Sequence, residues 1–186
     1  MILNIPNALT LARILAVPLF LSLLVEGEFN LALIVYLLAG VTDAVDGMIA
    51  RLWDMRTELG AHMDPLADKL LVVSSFIALG IEGTMPRPLM IIVIMRDVII
   101  LGGFLLTAAL VGRSMEMAPS IWGKLTTFTQ LLSVTLVLVD MARWWNVPTL
   151  ALNVIFVATG VVSFVSGSDY VMRGLKWYQS VEPGTG

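Results

Sequence analysis

Six predominantly apolar stretches of 17–24 residues, joined by short polar connectors, restrict this chain more than any other feature. They run over Asn7–Val25, Phe29–Ala50, Pro65–Ile81, Pro88–Val111, Ile121–Val139 and Pro148–Val165. The hydrocarbon core of a bilayer takes roughly 20 apolar residues per helical crossing, so each stretch is long enough for one. The connectors EGEFN, EGTMPRP, GRSMEMAPS and RWWNVP carry the Gly, Pro, Asn and Ser of turns. No repeat or low-complexity tract divides the chain. The expectation is an all-α integral membrane protein with six transmembrane helices, forming a single domain over residues 1–186. Arg13 interrupts the first stretch and no small-residue cleavage site follows it, so it reads as a retained span and not a signal peptide.

Composition agrees. The hydrophobic fraction is 58% and the charged fraction 13%, against about 25% charged in an ordinary soluble domain. Mean hydropathy is +0.92. A net charge of −3 argues against a nucleic-acid partner, because phosphate backbones are bound by clustered Lys and Arg. The absence of cysteine excludes disulfides, thiolate nucleophiles and Cys-ligated metals, and the single histidine, His62, excludes a multi-His site.

Orientation follows from the cations. With both termini on one side, that side collects Arg13, Arg51, Arg56, Lys69, Arg113, Lys124, Arg173 and Lys176, against Arg87 and Arg143 opposite. Eight against two places both termini in the cytoplasm and the protein in the cytoplasmic, or inner, membrane. Trp144 and Trp145 then suit the outer interface and Trp177 the inner one.

Residues 41–71 break the apolar pattern, with six carboxylates and three cations. Asp43 precedes Arg51 by eight residues, about 12 Å along a helix, which puts it within the second apolar stretch. A carboxylate at membrane depth costs roughly 2.5–3.5 kcal/mol unless it is paired or hydrated. Asp43 and Asp46 are spaced i,i+3, and Asp64 and Asp68 i,i+4, so each pair shares a helix face. Pro65 fits a first helical turn. Four carboxylates brought together from neighbouring helices repel one another, and divalent cations between them relieve that repulsion. An oxygen-only donor set favours Mg²⁺ or Mn²⁺ over zinc, and Mg²⁺ commonly bridges carboxylates and substrate phosphates. The pattern reads as a metal site that receives a phosphate at the inner face of the membrane.

The full spacing, Asp43-x2-Asp46-Gly47-x2-Ala50-Arg51-x8-Gly60-x3-Asp64-x3-Asp68, matches at all eight fixed positions the signature of the CDP-alcohol phosphatidyltransferases, and the chain resembles that family throughout its length. The resemblance implies an integral membrane enzyme that transfers a phosphatidyl group from CDP-diacylglycerol to an acceptor hydroxyl and releases CMP. By the same resemblance, Asp43, Asp46, Asp64 and Asp68 hold two divalent ions, and Asp68 is also the candidate general base. Gly47, Ala50 and Gly60 line the nucleotide site, and Arg51 meets the diphosphate. It also implies a homodimer.

Other residues extend the candidate site. Asn7, Thr10 and Arg13, at spacing i, i+3, i+6, converge on the cytoplasmic end of the first span and are candidates for the nucleotide, with a polar helix start and Arg13 reaching out to the interface as the alternative. Arg96-Asp97 is an intramembrane ion-pair candidate; Arg96 either holds an acceptor phosphate or is neutralised structurally by Asp97. Lys124 is a second acceptor candidate, with surface charge as its alternative. Gly102-Gly103 suits close helix packing.

NIPNALTLARILAVP and DPLADKLL resemble the phosphatidylglycerophosphate synthase group, whose acceptor is glycerol 3-phosphate. RDVIILGG and GKLTTFTQ also resemble the CMP-forming cardiolipin synthases, whose acceptor is phosphatidylglycerol. Two other classes stay open: a polyprenyl-diphosphate transferase, which normally carries two separate Asp-rich motifs, and a non-enzymatic ion carrier, which should spread its acids over several spans.

Overall fold

The computed structural model describes the backbone of residues 5–52, 58–111 and 120–181, and the side chains of residues 10–42, 69–103, 106, 120–177 and 179. Six helices account for almost all of that backbone: α1 (Ile5–Val25), α2 (Phe29–Leu52), α3 (Glu58–Glu82), α4 (Arg87–Val111), α5 (Ile121–Met141) and α6 (Thr149–Val181). No strand occurs among the described residues. The all-α expectation holds.

Helix ends fall where the turn chemistry puts them. After α1, Gly27 adopts φ 77°, its N–H bonds Leu24 O at 3.1 Å and the Glu28 N–H bonds Leu23 O at 2.9 Å. This paired closure needs a left-handed residue, which glycine supplies without a Cβ clash. Helix α5 closes in the same way on Arg143, at φ 55°, with Arg143 N to Asp140 O at 3.1 Å and Trp144 N to Val139 O at 3.2 Å. At the N-termini, Ser120 caps α5 through its Oγ, which accepts the Gly123 N–H at 3.0 Å. The Pro86 carbonyl accepts the Leu89 and Met90 N–H groups of α4, and the Pro148 carbonyl those of Ala151 and Leu152 of α6.

Two helices differ from their expected bounds. Helix α3 starts at Glu58, seven residues before Pro65, so Pro65 lies within the helix and not in its first turn. Helix α6 continues to Val181, sixteen residues beyond the expected end at Val165. Its polar extension contains no proline, and Arg173 Nε bonds Asp169 Oδ1 at 3.0 Å in i,i+4 register, which supports an exposed helix.

The chain divides into two compact units, Met1–Met85 with Val134–Leu152, and Pro86–Ser133 with Asn153–Gly186. In the first, α1 packs against both α2 and α3. The interior is apolar: Phe20, Leu33, Tyr36, Phe76 and Leu79 are buried, and the Phe20 and Tyr36 rings meet at 5.7 Å. In the second unit, the buried faces of α5 and α6 are polar. Thr126, Gln130 and Ser133 repeat at helical spacing on α5, and Thr159, Ser163 and Ser166 on α6. Ser133 Oγ and Thr159 Oγ1 share a 2.8 Å hydrogen bond, and Thr159 donates to Thr129 O at 3.1 Å. Small hydroxyl residues allow close helix approach and join helices without water.

Large apolar side chains lie outside. Leu15, Val25, Leu38, Leu101, Phe128, Leu150 and Phe164 are all more than half exposed. Ile121–Met141 and Thr149–Trp177 are each long and apolar enough to cross a membrane, and Thr10–Val25 and Phe29–Thr42 are shorter apolar segments.

Candidate active site

Connectivity sets the register of the first unit. Three residues, Glu26 to Glu28, join α1 to α2, and so short a link makes the helices antiparallel. Arg13 lies twelve residues before Val25, and Asp43 fourteen after Phe29; at about 1.5 Å per residue both sit roughly 18–21 Å from that turn. Five residues separate α2 from α3. Asp68 precedes the end of α3 at Glu82 by fourteen residues and Asp64 by eighteen, about 21 and 27 Å. The backbone positions of Asp43, Asp46, Asp64 and Asp68 therefore fall at roughly the same level along their helices as those of Thr10 and Arg13.

The side chains of Asp43, Asp46, Gly47, Ala50, Arg51, Gly60, His62, Asp64, Asp68 and Asn7 lie outside the described residues, although their backbones are helical. Among the described residues no cluster of three or more His, Asp or Glu side chains forms. The residue types fit a hard divalent cation: four aspartates on two consecutive helices, with no thiolate in the chain.

Thr10 and Arg13 are described, and both are buried, at 1% and 2% exposure. Each is engaged in an interaction of its own. A guanidinium so buried requires compensation, because an isolated buried charge is far costlier than any packing gain. A polar helix start with Arg13 reaching out to the interface does not describe this burial.

The second unit holds Arg96 and Lys124. Arg96 Nη1 bonds Asp97 Oδ1 at 2.6 Å, with the two side chains 10% and 12% exposed. Its Nη2 donates to Ser166 Oγ at 3.0 Å. Glycines border it: a Cβ on Gly167 would stand 3.5 Å from Arg96 Cγ, and one on Gly123 3.7 Å from Nη2. The guanidinium thus reaches the first turn of α5, where backbone N–H groups carry partial positive charge. Lys124 follows Gly123 in that turn and is exposed. The ion pair expected between Arg96 and Asp97 is present. Ser166 carries no signal in the sequence, because it follows directly on the apolar run that ends at Val165. Of the two adjacent glycines, Gly103 makes a close approach, since a Cβ there would stand 3.2 Å from Tyr170 Cε1, whereas Gly102 has open space.

Comparison with known proteins bears on this arrangement. The profile of the CDP-alcohol phosphatidyltransferases matches residues 3–165. A probable phosphatidylglycerophosphate synthase of Mycobacterium tuberculosis is 34% identical over 93% of this chain and 82% of its own. The CDP-diacylglycerol–glycerol-3-phosphate 3-phosphatidyltransferase of Aquifex aeolicus is 31% identical over 93% of this chain and 97% of its own. The CMP-forming cardiolipin synthase of Homo sapiens is 43% identical over 53% of this chain and 33% of its own. These similarities set aside the ion carrier and the polyprenyl transferase. The protein belongs to the CDP-alcohol phosphatidyltransferase family and is an enzyme of that class.

Proposed function

We propose that the protein transfers the phosphatidyl group of CDP-diacylglycerol to glycerol 3-phosphate and releases CMP, in phospholipid biosynthesis. The observation that carries this is the unbroken eight-position signature from Asp43 to Asp68, carried on the facing ends of α2 and α3 on either side of their short link. The two relatives named for glycerol phosphate chemistry match along nearly the whole chain.

Asp43, Asp46, Asp64 and Asp68 would hold two Mg²⁺ or Mn²⁺ ions, which would supply charge to offset the diphosphate and polarise the attacked phosphorus. Arg51 meets the diphosphate, while Gly47, Ala50 and Gly60 leave room for the nucleotide beside the backbone. Asn7, Thr10 and Arg13 border it from α1. Asp68 accepts the proton of the acceptor hydroxyl. The hydroxyl oxygen forms a bond to the lipid-bearing phosphorus, the bond from that phosphorus to the bridging oxygen breaks, and CMP departs with that oxygen. Arg96 and Lys124 bind the acceptor phosphate.

The helices cross the cytoplasmic membrane with both termini and the acidic end inside. Support comes from the eight-to-two distribution of cations, and from exposed leucines and phenylalanines around buried Thr, Ser, Gln and Arg. That is the inverse of a water-soluble surface. This placement keeps the acyl chains in lipid while CMP exchanges with the cytosol. The assembly is a homodimer with one site per subunit.

A second reading takes phosphatidylglycerol as acceptor. It is favoured by the Arg96–Asp97 contact, which leaves little net positive charge there and suits a phosphodiester monoanion better than a phosphomonoester dianion. Purified protein given CDP-diacylglycerol and Mn²⁺, with glycerol 3-phosphate, phosphatidylglycerol, serine or inositol phosphate in parallel, tests both. CMP release with glycerol 3-phosphate alone supports the first reading; release with phosphatidylglycerol alone replaces it with the second.

A further inference from the structure

We infer that Ser166 is a positioning residue for acceptor binding, acting through Arg96; the inference rests on the proposal above that Arg96 takes the acceptor phosphate. Arg96 sits almost wholly inside the second unit, and its orientation is set by two contacts from different helices. Asp97, its neighbour on α4, takes Nη1 at 2.6 Å. Ser166 of α6 takes Nη2 at 3.0 Å.

The two contacts do different work. An adjacent carboxylate supplies counter-charge, but it moves with the same helix and fixes the guanidinium only relative to α4. Ser166 is 3% exposed and ties the distal end of the side chain to α6. Gly167, beside it, lies against the aliphatic stem and Gly123 lies near Nη2, where an added Cβ would make ordinary contacts at 3.5 and 3.7 Å. Arg96 Nε is buried and has no partner among the described residues. A guanidinium has five N–H donors in a fixed plane, so holding Nη1 and Nη2 determines where the others point. Ser166 thus orients the donors left for an anion without itself touching it.

A hydrogen bond to a charged group contributes enough that its loss amounts to roughly tenfold or more in an equilibrium constant. Ser166→Ala is therefore expected to raise the acceptor KM roughly tenfold, while kcat and the CDP-diacylglycerol KM stay within about twofold. Ser166→Ala added to Arg96→Gln should bring no further rise in the acceptor KM, because the two residues act as one unit. Thermal unfolding of the purified full-length variants in detergent establishes that the fold is kept. A Ser166→Ala protein that melts normally with an unchanged acceptor KM overturns the inference, as does a further rise on the Arg96→Gln background. If Arg96→Gln itself leaves the acceptor KM unchanged, the assignment of Arg96 fails and takes this inference with it. A rise for Arg96→Gln alone, with none for Ser166→Ala, contradicts only the role of Ser166.

Discussion

Arg96 and Ser166, seventy residues apart, meet through a 3.0 Å hydrogen bond between α4 and α6, while Asp97 compensates the Arg96 charge at 2.6 Å. Charge compensation and orientation are thus divided between two residues, and stability can be tested apart from function. Asp97→Asn leaves a buried guanidinium without its carboxylate, and breaking such a pair costs about 3–5 kcal/mol. A large fall in melting temperature is expected. Replacing both members, Arg96→Met with Asp97→Leu, should recover most of that loss, because an apolar pair of similar size needs no compensation. Calorimetry or fluorescence-detected melting of the three proteins checks this; equal destabilisation of the single and double variants contradicts it.

The hydroxyl seam between α5 and α6 yields a smaller number. Ser133→Ala removes one hydrogen bond to Thr159, but Thr159 still donates to Thr129 O. Interhelical bonds of this type in membrane proteins average about 0.6 kcal/mol. A loss below about 1 kcal/mol is expected in reversible unfolding, and a loss several times larger shows that the seam is worth more than its individual bonds.

The turn after α1 rests on backbone conformation alone. Gly27 has φ 77° and open space around the missing Cβ, so Gly27→Ala meets no atom yet must adopt a left-handed conformation. About 1 kcal/mol of destabilisation is expected, with activity per folded molecule unchanged. An unaltered melting temperature means that the turn relaxes at no cost.

How far fold and site are legible in the sequence depends on which force decides each feature. Apolar run length locates all six helices, because burial of apolar surface dominates, and turn residues end most of them within a few positions. Hydropathy stops α6 at Val165, sixteen residues early; its next turns are held by local pairs such as Asp169–Arg173, which a hydropathy pattern does not register. Pro65 carries the signal of a helix start, yet α3 begins at Glu58, because one missing backbone donor is tolerated within a long helix. The acidic pattern stands out in the sequence because carboxylates in an apolar chain carry a large desolvation cost, while the side chains of those aspartates lie outside the described residues. Ser166 is not visible, because a serine signals nothing until another helix places a guanidinium against it.

Membrane orientation can be checked directly, since the chain has no cysteine to remove. A single cysteine at Glu28 should react with a membrane-impermeant maleimide on intact cells, and one at Arg173 only after lysis. The reverse pattern contradicts the assignment of both termini to the cytoplasm.

The most direct test of the central claim is divalent-dependent CMP release from CDP-diacylglycerol by the purified wild-type protein beside Asp43→Asn and Asp64→Asn. Release by the wild type should vanish with chelator and return with Mg²⁺ or Mn²⁺. Each variant should lose about a hundredfold or more while melting as the wild type does. Wild-type rates from either well-folded variant, or full activity in chelator, would contradict the claim that these aspartates hold the metals for phosphatidyl transfer.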